Sequence, residues 1–302
     1  NLAKVAAAGP AHFKQMDATL PEISSVSWSS FMTGVNPAKH GIYGFMDLKP
    51  GTYQMYFPSY PHLKAEPIWD KLGRQGKRSV VINLPGTYPA RPHEGVLISG
   101  FVAIDLKKAV YPPTILPALE GMGYRIDVDT SKGADADHLY KDLALTLAAR
   151  EKAFDHFWRA ESWDLFVAII TGTDRLQHFQ WHAVEDERDP NHARAIDFYA
   201  QADAAVGRML EKLTDLDLCL LMSDHGFCGI RSEVYINRHL VNSGFLKWDK
   251  DPPDSFADIS ASSRAFALDP SRIYVHRKGR YPKGTVEAGD VPALREELKA
   301  LF

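Results

Sequence analysis

The feature that most constrains this chain is the stretch Leu216 to Gly226, LDLCLLMSDHG, where an apolar run stops at Asp224-His225-Gly226. Six of the seven residues from Leu216 to Met222 are apolar, the pattern of a strand buried on both faces of a parallel sheet. In open α/β sheets, ligands bind beyond the carboxyl ends of the strands, so an Asp-His pair released there beside a permissive Gly is well placed for chemistry. An ordinary Asp-x-Gly turn uses the same residues. Taken alone, the pair leaves both readings open.

A second apolar run, Trp163 to Ile170 (WDLFVAII), is followed by Gly172-Thr173-Asp174-Arg175-Leu176-Gln177-His178. A helix starting near Asp174 would put its carboxylate and the His178 imidazole on one face through i, i+4 spacing. Asp is also a preferred residue at helix starts, and a His four positions later can simply be exposed. Two such pairs after two strands of one type should emerge at the same sheet edge, where imidazoles and carboxylates can share divalent ions.

The remaining pattern gives the framework. Asn1 to Ala8 reads as the later turns of a helix closed by Gly9-Pro10, and a wound α/β sheet would place a strand before it, so an upstream segment is expected. Ser29 to Thr33 predicts a turn and a half of helix stopped by Gly34, and Tyr53 to Pro61 an excursion over the surface. Pro67 to Leu72, Pro112 to Met122, Asp137 to Glu161, Asn191 to Leu213 and Asp290 to Phe302 carry helical patterns. Ser79 to Leu84 and Gly95 to Val102 are strand candidates. Asp249 to Ser263 reads as a loop and Arg272 to Val286 as a small hairpin. The expected fold class is α/β, with a mostly parallel central sheet and helices on both faces. We expect a single catalytic domain over residues 1–302, with 229–289 as a loop and hairpin excursion.

Charge and cysteine content remove several alternatives. The 35 Lys and Arg against 38 Asp and Glu give a net charge of −3 without long runs of either sign, which argues against nucleic acid as a partner. No stretch approaches the roughly 18–20 apolar residues of a membrane span. The two cysteines, Cys219 and Cys228, make no disulfide framework, and a cytoplasmic location is the expectation. GxSxG, GxxxxGK and GxGxxG motifs are all missing from the sequence, so serine-hydrolase, P-loop and dinucleotide readings lose their main support.

The Ser-rich stretch Leu20 to Phe45 holds Ser24, Ser25, Ser27, Ser29 and Ser30. A hydroxyl just before a helix N-terminus faces free amides and the positive dipole end, which suits a nucleophile or a bound phosphate. Most of these serines are expected to cap or fill space. His12, His40, His182, His192, His239 and His276 are read as structural or exposed.

Together PEISSVSWSSFMTGVNPAKHGIYGF, TGTDRLQHFQWH and MSDHGF resemble the alkaline phosphatase superfamily, in its type I phosphodiesterase/nucleotide pyrophosphatase and phosphohydrolase/phosphomutase branch. PIWDKLGRQGKRSVVINLPGTYP and GVLISGF extend the resemblance over most of the chain from Pro21. It implies an alkaline-phosphatase-like three-layer sandwich and hydrolysis of a small phosphate ester or nucleotide. The implied nucleophile lies nine residues before Thr33 of the Thr33-Gly34 pair, at Ser24, where relatives often carry Thr. The resemblance assigns Asp174 and His178 to one metal and Asp224 and His225 to a second that Ser24 also touches. Two divalent ions are implied, with zinc the first choice and manganese the competitor. Ser27 falls where nucleotide pyrophosphatases have an Asn that holds the transferred oxygens. The family also uses an Asp from a first strand and a His from a distal segment, which fall outside this sequence. A phosphomonoesterase or phosphomutase on the same core is the alternative, and a metal-free scaffold is the non-enzyme reading. The sequence does not give the oligomeric state.

Overall fold

The computed structural model describes residues 1–7 and 13–302. The proposed Gly9-Pro10 stop and His12 lie outside the described residues. In chain order the first half contains α1 (Leu2–Ala7), α2 (Ser24–Thr33), α3 (Pro37–His40), β1 (Asp47–Leu48), β2 (Met55–Tyr56), α4 (Ile68–Gly73), β3 (Ser79–Leu84), β4 (Gly95–Ser99), β5 (Val110–Tyr111) and α5 (Leu116–Gly121). The second half contains α6 (Ala136–Ala160), β6 (Leu165–Ala168), α7 (Gly172–Glu185), α8 (His192–Leu210), α9 (Ile236–Asn242), β7 (Ala265–Asp269), β8 (Arg272–Val275) and α10 (Val291–Leu301). The chain forms two compact units: residues 1–19, 27–42 and 59–229 in one, and residues 20–26, 43–58 and 230–302 in the other.

The first unit is built on a four-stranded sheet of order β5-β4-β3-β6. β3 is parallel to both β4 and β6, and β5 runs antiparallel at one edge. All six residues of β3 are buried, as both-face coverage requires. Val80, Ile82, Val96 and Ile98 pack with Phe154 and Phe157 of α6 and Leu119 of α5. Val81, Leu97 and Val167 face the other way, against Trp28 and Met32 of α2 and Trp69 of α4. A mixed α/β unit with a small, mostly parallel sheet is therefore present, and helices cover both of its faces.

The alternation of β3 breaks at Asn83. Its φ is +67°, and the β3–β4 register shifts between Ile82 and Leu84. Asn tolerates this left-handed conformation better than a branched residue would. The bulge moves Leu84 onto the Val81 side of the sheet, where strict alternation would have put it with Ile82. The Tyr124 hydroxyl donates to Asn83 Oδ1 at 3.0 Å. Gly100 makes room for the bulge, since a Cβ there would sit 2.1 Å from the Asn83 carbonyl oxygen.

α6 also packs with α7 and α8. Leu139, Leu143 and Leu147 of α6, Leu176 of α7 and Phe198 of α8 share one core. α6 starts at an Asp135 N-cap that accepts from the His138 amide, a common helix-start device. In the second unit, the β7–β8 hairpin packs Phe266 with Leu240 of α9, Leu294 and Leu298 of α10, and Leu48 of β1.

Several sequence expectations need correction. Leu216 to Met222 is not a buried strand: Leu216 and Leu218 are 96% and 98% exposed, and the run carries no strand. Asp217 accepts from both the amide and the hydroxyl of Thr214, and its own amide donates to the Thr214 carbonyl. That turn takes the start of the run out of extended conformation. β6 ends the sheet order, so no described strand pairs with the segment. Cys219 is accordingly exposed. α2 begins at Ser24, earlier than expected. The hairpin begins at Ala265, where the Ala-rich AFALD has weak strand character of its own. Tyr60, expected on the surface, is fully buried and accepts from the Trp69 indole.

The Asn83 bulge gives a stability test. Gly100→Ala must push a methyl into backbone and is expected to destabilise the protein by about 3 kcal/mol or more. Gly121→Ala, where a Cβ meets nothing within 4 Å, is expected to be neutral or to gain up to ~1 kcal/mol. Urea denaturation followed by far-UV circular dichroism measures both.

Candidate functional site

The site candidates of the first unit begin at the carboxyl end of β6. α7 starts four residues beyond that strand, with Asp174 in its first turn, where a carboxylate favours the helix dipole. A Cβ at Gly172 would lie 2.6 Å from the Phe198 ring, so a residue without a side chain lets α7 start hard against α8. One turn on, His178 Nε2 is 3.5 Å from Asp174 Oδ1.

The loop carrying Asp224 and His225 reaches the same point. His225 Nε2 lies 3.8 Å from Asp174 Oδ1 and 3.5 Å from Asp224 Oδ2. Its Nδ1 is 2.8 Å from the Gly226 carbonyl, an acceptor only, so Nδ1 carries a proton and donates to it. The Ser223 hydroxyl donates to the His225 carbonyl at 2.6 Å. Phe227 stands edge-on to His178 with centroids 4.9 Å apart and also meets Trp181 at 5.6 Å. An aromatic wedge thus ties the loop to α7.

Asp174 Oδ1 and Asp224 Oδ2 are buried and receive no hydrogen bond from the described residues. Buried anionic oxygens without donors are costly unless a cation meets them. Two ligands each ~2.0–2.1 Å from one tetrahedral ion stand roughly 3.3–3.4 Å apart, close to the 3.5 Å Asp-His separations here. Two carboxylate oxygens and two imidazole nitrogens are also the donor set of zinc or manganese sites. Among the described residues, no group of three or more His, Cys, Asp or Glu is gathered as a finished ion-holding shell. The donor chemistry fits a metal, while the contacts stand pairwise.

Arg175 adds a charge that the motif does not announce. Its Nη1 donates to Asp174 Oδ2 at 3.2 Å, while Nε and Nη2 donate to Asp127 Oδ2 at 2.9 and 2.7 Å. Burial works against the Asp174 charge, yet His178, Arg175 and His225 together hold its carboxyl below the usual range. Beneath lies Arg150, 2% exposed. It donates to the Ile169, Arg125 and Ile126 carbonyls and to the Thr171 hydroxyl. Burial pulls its pKa down, against the pull of Tyr124 and Asp127. Asp127 and Arg150 escape the sequence reading, and Phe227 enters it only as the last residue of MSDHGF. Arg150 does leave a signal, because it occupies a core-face position in the series Leu143, Leu147, Arg150, Phe154, Phe157.

Ser24 is the first residue of α2 and is half-buried; it belongs to the second unit. Ser27 is 6% exposed, and its hydroxyl has no hydrogen-bond partner among the described residues. His40 is fully buried, with Ser30 Oγ 3.0 Å from Nε2 and the Ile42 amide donating to Nδ1. Because Nδ1 accepts, Nε2 carries the proton, so His40 donates to Ser30 and is no base for it. His276 donates from Nδ1 to the Ser263 carbonyl, and its Nε2 lies 2.5 Å from the Tyr53 hydroxyl. Both nitrogens are engaged within the second unit. His182 stands 3.6 Å from Asp189, His192 Nδ1 is 2.9 Å from the Ala183 carbonyl, and His239 meets the Phe302 ring.

A family model described as type I phosphodiesterase / nucleotide pyrophosphatase matches residues 1–301. No curated protein matches the chain. No helix among the described residues is long and apolar enough to cross a membrane.

His40 supplies a pH test. Burial lowers its pKa to about 4 from 6.5, so the unfolded chain takes up a proton before the folded one does. The associated stability is complete above about pH 6.5 and is lost as pH falls toward 4, by up to ~3 kcal/mol. H40N, which has no titrating ring, is expected to show a flatter stability profile across that window in urea titrations.

Proposed function

The chain belongs to the type I phosphodiesterase/nucleotide pyrophosphatase family, and from that premise we propose that it is a two-metal phosphoric ester hydrolase that works through a phosphoseryl intermediate on Ser24. The observation that carries the reading is the meeting of Asp174, His178, Asp224 and His225, with one oxygen of each aspartate buried and lacking a donor among the described residues. Asp174 and His178 are the proposed holders of one ion, and Asp224 and His225 of the other. Zinc is preferred on donor type, with manganese the competitor. We read residues 1–302 as one catalytic domain of the alkaline-phosphatase-like three-layer type. The family match over 1–301 and the two-sided covering of the sheet support this.

In the proposed reaction, the Ser24 oxygen attacks phosphorus in line with the leaving oxygen. A bond from Ser24 to phosphorus forms, the bond to the leaving group breaks, and the leaving alcohol or phosphate departs with the serine proton. Water then cleaves the seryl ester and restores the hydroxyl. When bound, the ions supply Lewis-acid stabilisation of charge on the phosphoryl oxygens and lower the pKa of water to ~7 in favourable zinc sites. Asp174 and Asp224 would hold their ligating oxygens in place, and the Nδ1 contact of His225 would keep its Nε2 lone pair available. The position of Ser24 in the first turn of α2 suits a developing anion, since amides and the positive dipole end lie there. Ser27 is the proposed aid to the transferred oxygens.

Purified without chelator, the protein is expected to carry close to two equivalents of divalent metal and to hydrolyse bis-p-nitrophenyl phosphate. Ser24→Ala should lower kcat at least about a thousandfold while retaining the metal. D174N and D224N should each lose bound ion. Turnover that survives chelation, or full activity in Ser24→Ala, would overturn the proposal. Protein that takes up no metal at all would favour the scaffold reading.

A further inference from the structure

Asp174 and its neighbours contain a division of labour that a ligand assignment alone does not require. The two oxygens of the carboxylate have different surroundings: Oδ2 accepts from Arg175 Nη1, whereas Oδ1 receives no hydrogen bond from the described residues and faces His178 and His225. Arg175 is itself fixed. Both its Nε and its Nη2 reach Asp127 Oδ2, and its guanidinium lies 4.0 Å over the Phe101 ring. Asp127 is fixed in turn, with Oδ1 accepting from the Val128 amide at 2.9 Å and the Thr171 hydroxyl at 3.5 Å. Thr171 accepts from the buried Arg150. The line Arg150, Thr171, Asp127, Arg175, Asp174 therefore runs unbroken from the helix core to the candidate site.

We infer that Arg175, anchored by Asp127, is a positioning residue that occupies one oxygen of Asp174 and so limits this aspartate to one-oxygen ligation through Oδ1. The inference rests on the metal-site reading above and extends it. A carboxylate with both oxygens open can chelate a cation through both, which widens the coordination shell and admits oxygen-loving ions. Engaging Oδ2 removes that mode and leaves a single directed donor, the arrangement that suits a compact four-ligand shell. Arg is the residue for this task. Its planar fork reaches two carboxylates at once, and it stays charged when buried. Partners of this outer kind typically change metal affinity 10- to 100-fold when lost.

The test uses the whole chain, stripped of metal and titrated with Zn²⁺ by calorimetry and with Co²⁺ by visible absorption. The variants are Asp127→Asn, Arg175→Lys, Arg175→Gln and Asp174→Asn. Asp127→Asn and Arg175→Gln are expected to weaken Zn²⁺ binding about 10- to 100-fold. They should also shift the Co²⁺ bands toward the weaker absorption of a higher coordination number. Arg175→Lys, which keeps the charge but not the fork, should fall between these and wild type. Wild-type affinity and an unchanged Co²⁺ spectrum in Asp127→Asn and Arg175→Gln would overturn the inference, even if their urea midpoints drop, because that is the result of a purely structural ion pair. Asp127→Asn preserves size and keeps the question open to measurement if Arg175→Gln does not fold. Wild-type protein that binds no ion would sink the metal reading and this inference together. Ion binding lost in Asp174→Asn but untouched in the other variants would sink the inference alone.

Discussion

The arrangement depends on how a buried positive charge is satisfied. Arg150 enters the core of the first unit from α6, and among the described residues no carboxylate is hydrogen-bonded to it. It donates to three main-chain carbonyls and one hydroxyl. Burying an ion costs several kcal/mol even after relaxation, while each hydrogen bond to a charged group returns about 1.5–3 kcal/mol. These bonds, with Asp127 nearby, offset the cost only if the carbonyls stay where they are. Arg150 therefore pins residues 125–126, which lead to Asp127, and residues 169–171, which lead from β6 into α7. The first turn of α7 is where Asp174 stands, so the geometry of the candidate ligand is set by a charge lying deeper in the fold.

How far the sequence reveals this depends on which kind of order is at stake. Elements whose apolar residues follow a period and end at a punctuating residue are legible: α6 and α8 run close to the expected bounds, and β3 is buried along its whole length. The Asp-x-x-x-His spacing on α7 is legible for the same reason, since helical periodicity converts sequence distance into a shared face. Order that arises from single side chains meeting across the fold is not. Nothing in the letters around Asp127 marks it as the partner of Arg175 forty-eight positions later, and no propensity scale announces the left-handed Asn83 that moves Leu84 to the other face. Arg150 lies between these cases, because an arginine in a leucine and phenylalanine stripe is visible as an anomaly though its partners are not.

The Leu216 to Met222 segment separates two properties that the sequence pattern joins. In that pattern an apolar strand delivers Asp224 and His225, yet Leu216, Leu218 and Leu220 are at least 75% exposed. Each forgoes ~1.5–3 kcal/mol of burial, so the run contributes little to holding the Asp-His pair. Asp224 and His225 nevertheless have side chains only 14% and 16% exposed. The constraint on them is downstream: Phe227 packs between His178 and Trp181, and the Nδ1–H of His225 is committed to the Gly226 carbonyl. Aromatic contacts of this kind are worth about 0.5–1.5 kcal/mol each beyond the area they bury. That is enough to bias a short loop but not to replace a strand's ladder of hydrogen bonds. The two half-sites are thus held with unequal stiffness. Asp174 is locked by charge pairs reaching into the core, and His225 is held by a wedge, so the proposed ion site would adjust through the Asp224 to Phe227 loop before α7.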